Sequence, residues 1–235
     1  MMYPYAKFLI DFDQRHGSLK HRNSPSNTKA AVIIESRPLF FLPMVLKNLM
    51  FFLGGKWNLH IFSGELSEKY VDDIVDGWDV NVTKLEGLRH LSAAHRSEIM
   101  KTTQFWKLFP EEKLLIFESN CVVCAGNIEN FMEYDFIGAP VGTIDRFSCH
   151  GGFSLRSRQK MIECIVKGRS SEGEPEDEFF TRMMRQIGAV TPDFTSASRF
   201  AVSSTYEGPP VGVPATDQCL HPMEVADKIV AGVTY

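Results

Sequence analysis

The sequence predicts an α/β fold built around a doubly wound, mainly parallel sheet. Two observations carry that expectation. Short, continuous apolar runs end in polar residues, and amphipathic helical segments alternate with them over the first 120 residues. Proline and glycine fall between the two kinds of segment, where an α/β chain turns.

The first run is Ala30-Ala31-Val32-Ile33-Ile34-Glu35, apolar on both faces as a central parallel strand must be. Pro38 stops it, and a helix is expected over 39–53, ending at Gly54-Gly55. Trp57-Asn58-Leu59-His60-Ile61-Phe62 reads as the second strand. Leu66, Tyr70, Ile74 and Val75 share one face of a helix over 66–76. Val80-Asn81-Val82 is a short third strand. Ser92 caps a single helix over 92–108, with Pro110 beyond its end. Lys113-Leu114-Leu115-Ile116-Phe117 is the fourth strand. Further on, a strand carrying Phe136 and Ile137 ends in Gly138-Ala139-Pro140, and a loop follows. Gly151-Gly152 then opens the strand Phe153-Ser154-Leu155-Arg156. Helices are expected over 158–167 and 175–187.

Residues 1–29 read as an arm. They set Lys7, Arg15, Lys20, Arg22 and Lys29 against Asp11 and Asp13, and they contain the linker-like tract Asn23-Ser24-Pro25-Ser26-Asn27. The arm is either a solvated extension or a basic contact for a partner or a membrane surface. Residues 30–222 form the domain and 223–235 a tail.

Composition narrows the function classes. The chain has 235 residues, 44% hydrophobic and 23% charged, enough for one sizeable core. A net charge of −4 gives no reason to expect nucleic acid as a partner. Five cysteines, at 121, 124, 149, 164 and 219, form no regular framework, so buried thiols in a reducing, cytoplasmic compartment are expected. The lone Cys121-Val122-Val123-Cys124 lacks the second ligand pair of a zinc site. The N-terminus lacks the apolar core of a signal peptide. The apolar stretch 38–55 is broken by Lys47 and Asn48 and is too short to span a bilayer. Neither a GxGxxG fingerprint after the first strand nor a GxxxxGK[ST] loop is present.

Ligands of such sheets sit beyond the carboxyl ends of the strands. Here those ends are Glu35-Ser36-Arg37, Ser63-Gly64 and Glu118-Ser119-Asn120. Adjacent Gly151 and Gly152 let backbone approach a ligand without a Cβ in the way. Pro175-Glu176-Asp177-Glu178 opens a helix, and two explanations stand side by side. The acids complement the helix dipole, or a carboxylate takes a proton from a substrate hydroxyl. Arg96, with His90 and His95, reads as a solvated helix face. Arg156 and Arg158 either bind phosphate or cap the next helix.

Several of these elements in order resemble the DUF5672 family. They are Val32-Ile33-Ile34-Glu35-Ser36-Arg37, Phe105-Trp106, the strand running into Glu118-Ser119-Asn120, Phe131 with Tyr134-Asp135, Ile137-Gly138-Ala139-Pro140, Gly151-Gly152-Phe153-Ser154-Leu155-Arg156 and Pro175-Glu176-Asp177. The likeness spans residues 30–222. It implies a GT-A-like, three-layer α/β/α sandwich with a mixed, mainly parallel sheet, and glycosyltransferase activity. The implied partners are a UDP- or GDP-sugar donor and a glycan or other hydroxyl acceptor. The implied cofactor is a divalent cation, Mn²⁺ or Mg²⁺. Carried over by motif, Glu35, Arg37, Lys101, Glu118, Ser119, Asn120, Gly151 and Gly152 would bind the donor. Glu118, Asn120 and His221 would hold the metal, although a lone histidine is also an ordinary structural residue. A more distant likeness to inverting β-1,4-galactosyltransferase-like enzymes makes Asp177 the base and Glu176 an acceptor or donor contact.

One departure matters. The family triplet at the end of the fourth strand resembles Gln-Thr-Asp, and this chain has Glu118-Ser119-Asn120. An amide, a weaker oxygen ligand, replaces the carboxylate. Glu118 would compensate from two residues away, on the same face of an extended strand. His150 likewise stands where a related chain often has Asn. The departure leaves open a degenerate GT-A domain that binds nucleotide or sugar without catalysis. A nucleotidyltransferase is disfavoured by the missing phosphate loop.

Overall fold

Side chains on a strand alternate between its two faces, and in the computed structural model this alternation divides the core in two. The structure describes residues 3–217 and 221–233. On strand β1 (Lys29–Glu35), Ala31 and Ile33 point into one apolar cluster, and Ala30, Val32 and Ile34 into another. The same division holds for Leu115 and Phe117 against Leu114 and Ile116 on the fourth strand. A sheet with two apolar faces needs helices on both, and a three-layer α/β/α sandwich results.

Chain order is α1 (Tyr3–His16), β1, α2 (Leu42–Leu53), β2 (Asn58–Gly64), α3 (Glu68–Ile74), β3 (Asn81–Leu85), α4 (Ala93–Met100), α5 (Thr103–Trp106) and β4 (Lys113–Phe117). Then follow β5 (Val122–Val123), β6 (Phe136–Thr143), β7 (Arg146–Ser157), α6 (Arg158–Lys167), α7 (Glu176–Gln186), α8 (Phe194–Phe200), β8 (Gly212–Val213) and α9 (Met223–Ala231). The main sheet runs β3-β2-β1-β4-β7-β6. β1 to β4 are mutually parallel, and β7 is antiparallel to both β4 and β6. β5 and β8 form a separate two-stranded sheet.

Four departures from the sequence reading have local causes. Of the arm expected over 1–29, the described residues, from Tyr3 on, are not a solvated extension. Tyr5, Phe8, Leu9 and Phe12, at the i, i+3, i+4, i+7 spacing of one helical face, are buried against α2. The Asn23 side chain, in the presumed linker, bonds the backbone of Leu59 at both N–H and C=O, 2.7 and 3.2 Å. Residues 223–231 of the presumed tail form α9, whose Ala226 and Ile229 complete the same cluster. The helix expected over 92–108 is two helices, because Thr102 leaves helical geometry and its side chain caps α5 at the Phe105 N–H. The loop expected after Pro140 is instead a long hairpin: β6 and β7 pair through a two-residue turn, Ile144-Asp145, with a bulge between Gly138 and Pro140.

Cys121, Cys124, Cys149 and Cys164 are free and buried, as expected, and Cys219 lies outside the described residues. Burial pushes the Cys149 thiol up to about 11 and the Cys124 and Cys164 thiols up to about 12. Groups held so far above neutrality are poor nucleophiles. Among the described residues no helix is long and apolar enough to cross a membrane.

Candidate functional site

β4 is the pivot of the site. It sits between the last parallel neighbour, β1, and the antiparallel hairpin, so its carboxyl end opens beside the ends of β1 and beside the middle of β7. A cavity of about 190 Å³ lies there. Its walls include Glu118 at the end of β4, His150, Gly151 and Gly152 on β7, Arg96 on α4, and Glu176 and Asp177 at the start of α7. Residues far apart in sequence and separately singled out thus share one cleft.

The chain turns immediately after β4, with the Cys121 N–H donating to the Glu118 carbonyl at 3.2 Å. Glu118 and Asn120 therefore do not share a face, as an extended strand would have made them do. The three side chains part. Glu118 pairs with Arg96, which is consequently not a solvated residue. Ser119 donates to Glu35 Oε2 at 2.7 Å and so ties the ends of β4 and β1. Asn120 Nδ2 donates to Asp217 Oδ1 at 2.6 Å, and its Oδ1 is buried without a partner. Arg96, in the wall of the cleft, and Asp217, the partner of Asn120, are the two contacts that sequence reasoning missed. Asp217 is 97 residues from Asn120, and no local pattern announces it.

Glu35 and Arg37 form a forked pair, Nε to Oε1 at 2.9 Å and Nη2 to Oε2 at 3.1 Å. Burial acts to raise the Glu35 carboxyl, but the hydrogen bonds from Arg37 and Ser119 outweigh it and hold the group below its ordinary range. The Arg37 guanidinium is raised, first by Glu35 and further by the charges of Glu118 and Asp217, so this cation lies within the field of all three acids. A depressed carboxyl contributes stability that is present above its unfolded value and lost as pH falls through the folded one. Wild type should therefore outlast Glu35→Gln in urea at neutral pH. The gap should close as the titration is taken below about pH 4, and an unchanged gap would remove Glu35 as the anchor.

Lys101 is not in the cleft. Its Nζ donates to the Glu174 carbonyl at 2.7 Å and pairs with Glu98, and its side chain is 5% exposed, which leaves no charge for a diphosphate. His221 is also engaged at both ring nitrogens, with Tyr5 Oη at 2.7 Å and the Ser203 carbonyl at 2.8 Å. It has no free nitrogen for a metal and fastens the C-terminal segment to α1.

The glycines have a different role from the one their sequence suggests. A Cβ on Gly151 would lie 2.2 Å from Glu176 Oε1, and one on Gly152 would lie 2.9 Å from Glu118 Cδ. They make room for the protein's own carboxylates. Glu176 is buried, with Arg156 Nη1 and Nη2 on its two oxygens at 2.5 and 2.9 Å. Arg156 is fully buried, with Phe136, Trp106 and Phe180 around its guanidinium, and binds no phosphate. Glu176 therefore anchors the start of α7 rather than meeting substrate.

Asp177 remains open to the cleft. Its Oδ2 accepts from the Gly151 N–H at 3.1 Å and its Oδ1 from the Glu178 N–H at 3.0 Å, which fixes the carboxylate. His150 Nδ1 accepts from the Gly152 N–H at 2.9 Å, so a neutral ring carries its proton on Nε2. The cleft thus combines a fixed carboxylate, an imidazole donor and a cation–carboxylate pair, which suits a polar ligand whose hydroxyl must lose a proton.

Comparison with known proteins agrees with this architecture. Residues 80–212 match the family described as "Protein of unknown function (DUF5672)". The chain belongs to the DUF5672 family. This DUF5672 chain resembles the apo form of the glycosyltransferase GlyE from Streptococcus pneumoniae TIGR4, with TM-score 0.52 and 14% identity over 80% of this chain and 54% of that one. It also resembles the mannosyltransferase PcManGT from Pyrobaculum calidifontis, solved with GDP-Man and Mn²⁺, with TM-score 0.50 and 12% identity over 81% of this chain and 64% of that one. The chain thus spans less than two thirds of either structure. At such identities the likeness is one of fold, the GT-A fold of nucleotide-diphospho-sugar transferases. No curated protein matches the chain.

Proposed function

We propose that this DUF5672 protein is a nucleotide-sugar-dependent glycosyltransferase. It moves a sugar from a UDP- or GDP-sugar to an acceptor hydroxyl, with inversion. The observation that carries the reading is that Asp177 shares one cleft with Glu118 at the end of β4, the edge where ligands of such sheets bind. The two structural relatives named as sugar transferases support it by fold. In the proposed step the acceptor oxygen attacks the donor's anomeric carbon while the bond to the diphosphate breaks, and Asp177 takes the hydroxyl proton. Glu176 and Arg156 hold α7 so that the carboxylate faces the cleft. The solvent-facing side of the Arg37 guanidinium, which is 52% exposed beside its fork with Glu35, and the Nε2 edge of His150 are the groups we assign to the donor. The free thiols fit a cytoplasmic setting.

A divalent cation would neutralise charge on the departing diphosphate. Among the described residues no three His, Cys, Asp or Glu side chains are grouped to hold an ion. The oxygens available are the unpartnered Asn120 Oδ1 and the Asp217 carboxylate beside it. One carboxylate and one amide fit Mn²⁺ or Mg²⁺ carried in on substrate phosphates, not a resident ion. Asn120→Asp would set two carboxylates face to face, so Mn²⁺ titrated by calorimetry should bind the variant at least about tenfold tighter than wild type. Equal affinities would take the ion away from this corner.

Incubation with a panel of UDP- and GDP-sugars, with and without Mn²⁺, tests the reading. Donor hydrolysis or transfer supports it. Binding without turnover favours the degenerate domain that the amide at Asn120 suggests, and release of pyrophosphate a nucleotidyltransferase.

A further inference from the structure

We propose that the groove between the β6–β7 hairpin and α7 is an acceptor subsite for a saccharide bearing an anionic group, a carboxylate or a phosphate, about 12 Å from the reacting hydroxyl. The proposal rests on the glycosyltransferase reading for which side chain is the base. The groove itself is a cavity of about 590 Å³, and no role in the donor cleft accounts for it.

Three hydrogen bonds lash α7 to β7 in strict register. Asp177 Oδ2 accepts from the Gly151 N–H, Thr181 Oγ1 accepts from the Cys149 N–H at 3.1 Å, and Arg185 Nη2 donates to the Phe147 carbonyl at 2.7 Å. The partners step by four along the helix and by two along the strand. Eight helical residues advance about 12 Å and four strand residues about 13 Å, so the two elements run alongside each other without slipping. The groove begins at Glu178 and Thr181, one residue and one turn from Asp177, and extends to Arg185 and to Arg146 on the strand. In the proposal, a saccharide whose hydroxyl meets Asp177 runs along the outside of this seam into the neighbouring groove.

The charge in the groove is selective. Arg182 is neutralised by a forked contact with Glu174, at 3.0 and 2.9 Å. Among the described residues Arg185 meets neutral partners and no carboxylate: the Phe147 carbonyl and the Phe147 ring, whose centroid lies 5.6 Å from the guanidinium. Arg146 is exposed and has no side-chain partner among the described residues. Two guanidinium groups without counter-ions among the described residues thus stand at the far end of the groove, on a protein whose net charge is −4. Guanidinium forks match carboxylate and phosphate. The ring of Phe147 and the carboxylate of Glu178 add the apolar and hydroxyl-accepting contacts that a sugar takes.

The test is direct binding, followed by saturation-transfer NMR and calorimetry. The probes are a hyaluronan tetrasaccharide, its carboxyl-reduced neutral counterpart, and a mannose oligosaccharide with and without a terminal phosphate. Wild type should favour at least one charged probe over its neutral twin, and whichever pair discriminates identifies the anion. Arg146→Gln/Arg185→Gln should weaken that probe by about ten- to a hundredfold, the range for losing hydrogen bonds to a charged group, and leave the neutral twin unchanged. Arg146→Gln alone, at an exposed side chain, gives the smaller loss without risk to the fold. Donor hydrolysis by the wild type is read alongside, so a dead donor assay indicts the glycosyltransferase reading, not the groove. Equal binding of charged and neutral twins, no binding of any probe, or full affinity in the double variant would each overturn the subsite.

Discussion

Asp177→Asn should cut sugar transfer by about two to four powers of ten, the range for losing a positioned acid–base group. The substitution keeps the shape and one hydrogen-bond acceptor, so either the Gly151 N–H or the Glu178 N–H retains its partner. What it removes is the capacity to take a proton. Donor affinity should barely move, because the groups assigned to the donor, Arg37 and His150, lie just past the end of β1 and on β7. The diagnostic pattern is a fall in kcat with an unchanged donor Kd and a melting temperature lowered by only about 2 to 6 °C, the cost of one lost hydrogen bond. Glu172→Gln, at an exposed acid outside both cavities, is the control and should be silent. Unimpaired transfer by Asp177→Asn would return the acidic run at residues 176–178 to its other role, stabilising the start of α7 through the helix dipole.

The parallel half of the fold was legible because its information is local. β4 and α6 fall where the apolar run and the helical pattern place them, at Lys113–Phe117 and Arg158–Lys167. α1 carries an equally readable apolar stripe, but counting its charges directed attention to the polar face. The site was legible in part for the same reason. Asp177 and Glu118 stand beside strong local punctuation, Pro175 and the end of an apolar strand. The partners that give them meaning are distant: Arg96 lies 22 residues from Glu118, Arg156 lies 20 from Glu176, and Asp217 lies 97 from Asn120. The turn after β4 also sends three consecutive side chains to three different partners, and strand periodicity gives no sign of that.

Breaking the Arg156–Glu176 pair should cost about 3 to 5 kcal/mol, the usual result of leaving one buried charge without its partner. Arg156 is fully buried and the Glu176 side chain is 11% exposed, so water cannot take over for the missing group. Arg156→Met keeps much of the volume and packs among Phe136, Trp106 and Phe180, yet it strands the Glu176 carboxylate. Glu176→Gln strands the guanidinium. Each single variant should melt about 6 to 20 °C below wild type, at about 2 to 4 °C per kcal/mol for a chain of this size. The double variant Arg156→Met/Glu176→Gln removes both charges and should recover part of the loss, because a buried amide without its partner costs less than a buried charge without one. Strict additivity in this cycle would show that the two groups act separately. The pair also joins β7 to the first turn of α7, so the folded single variants should lose transfer as Asp177 drifts from its place beside Gly151. A double variant that regains stability without regaining transfer would show that the ion pair sets the position of the candidate base as well as holding the core.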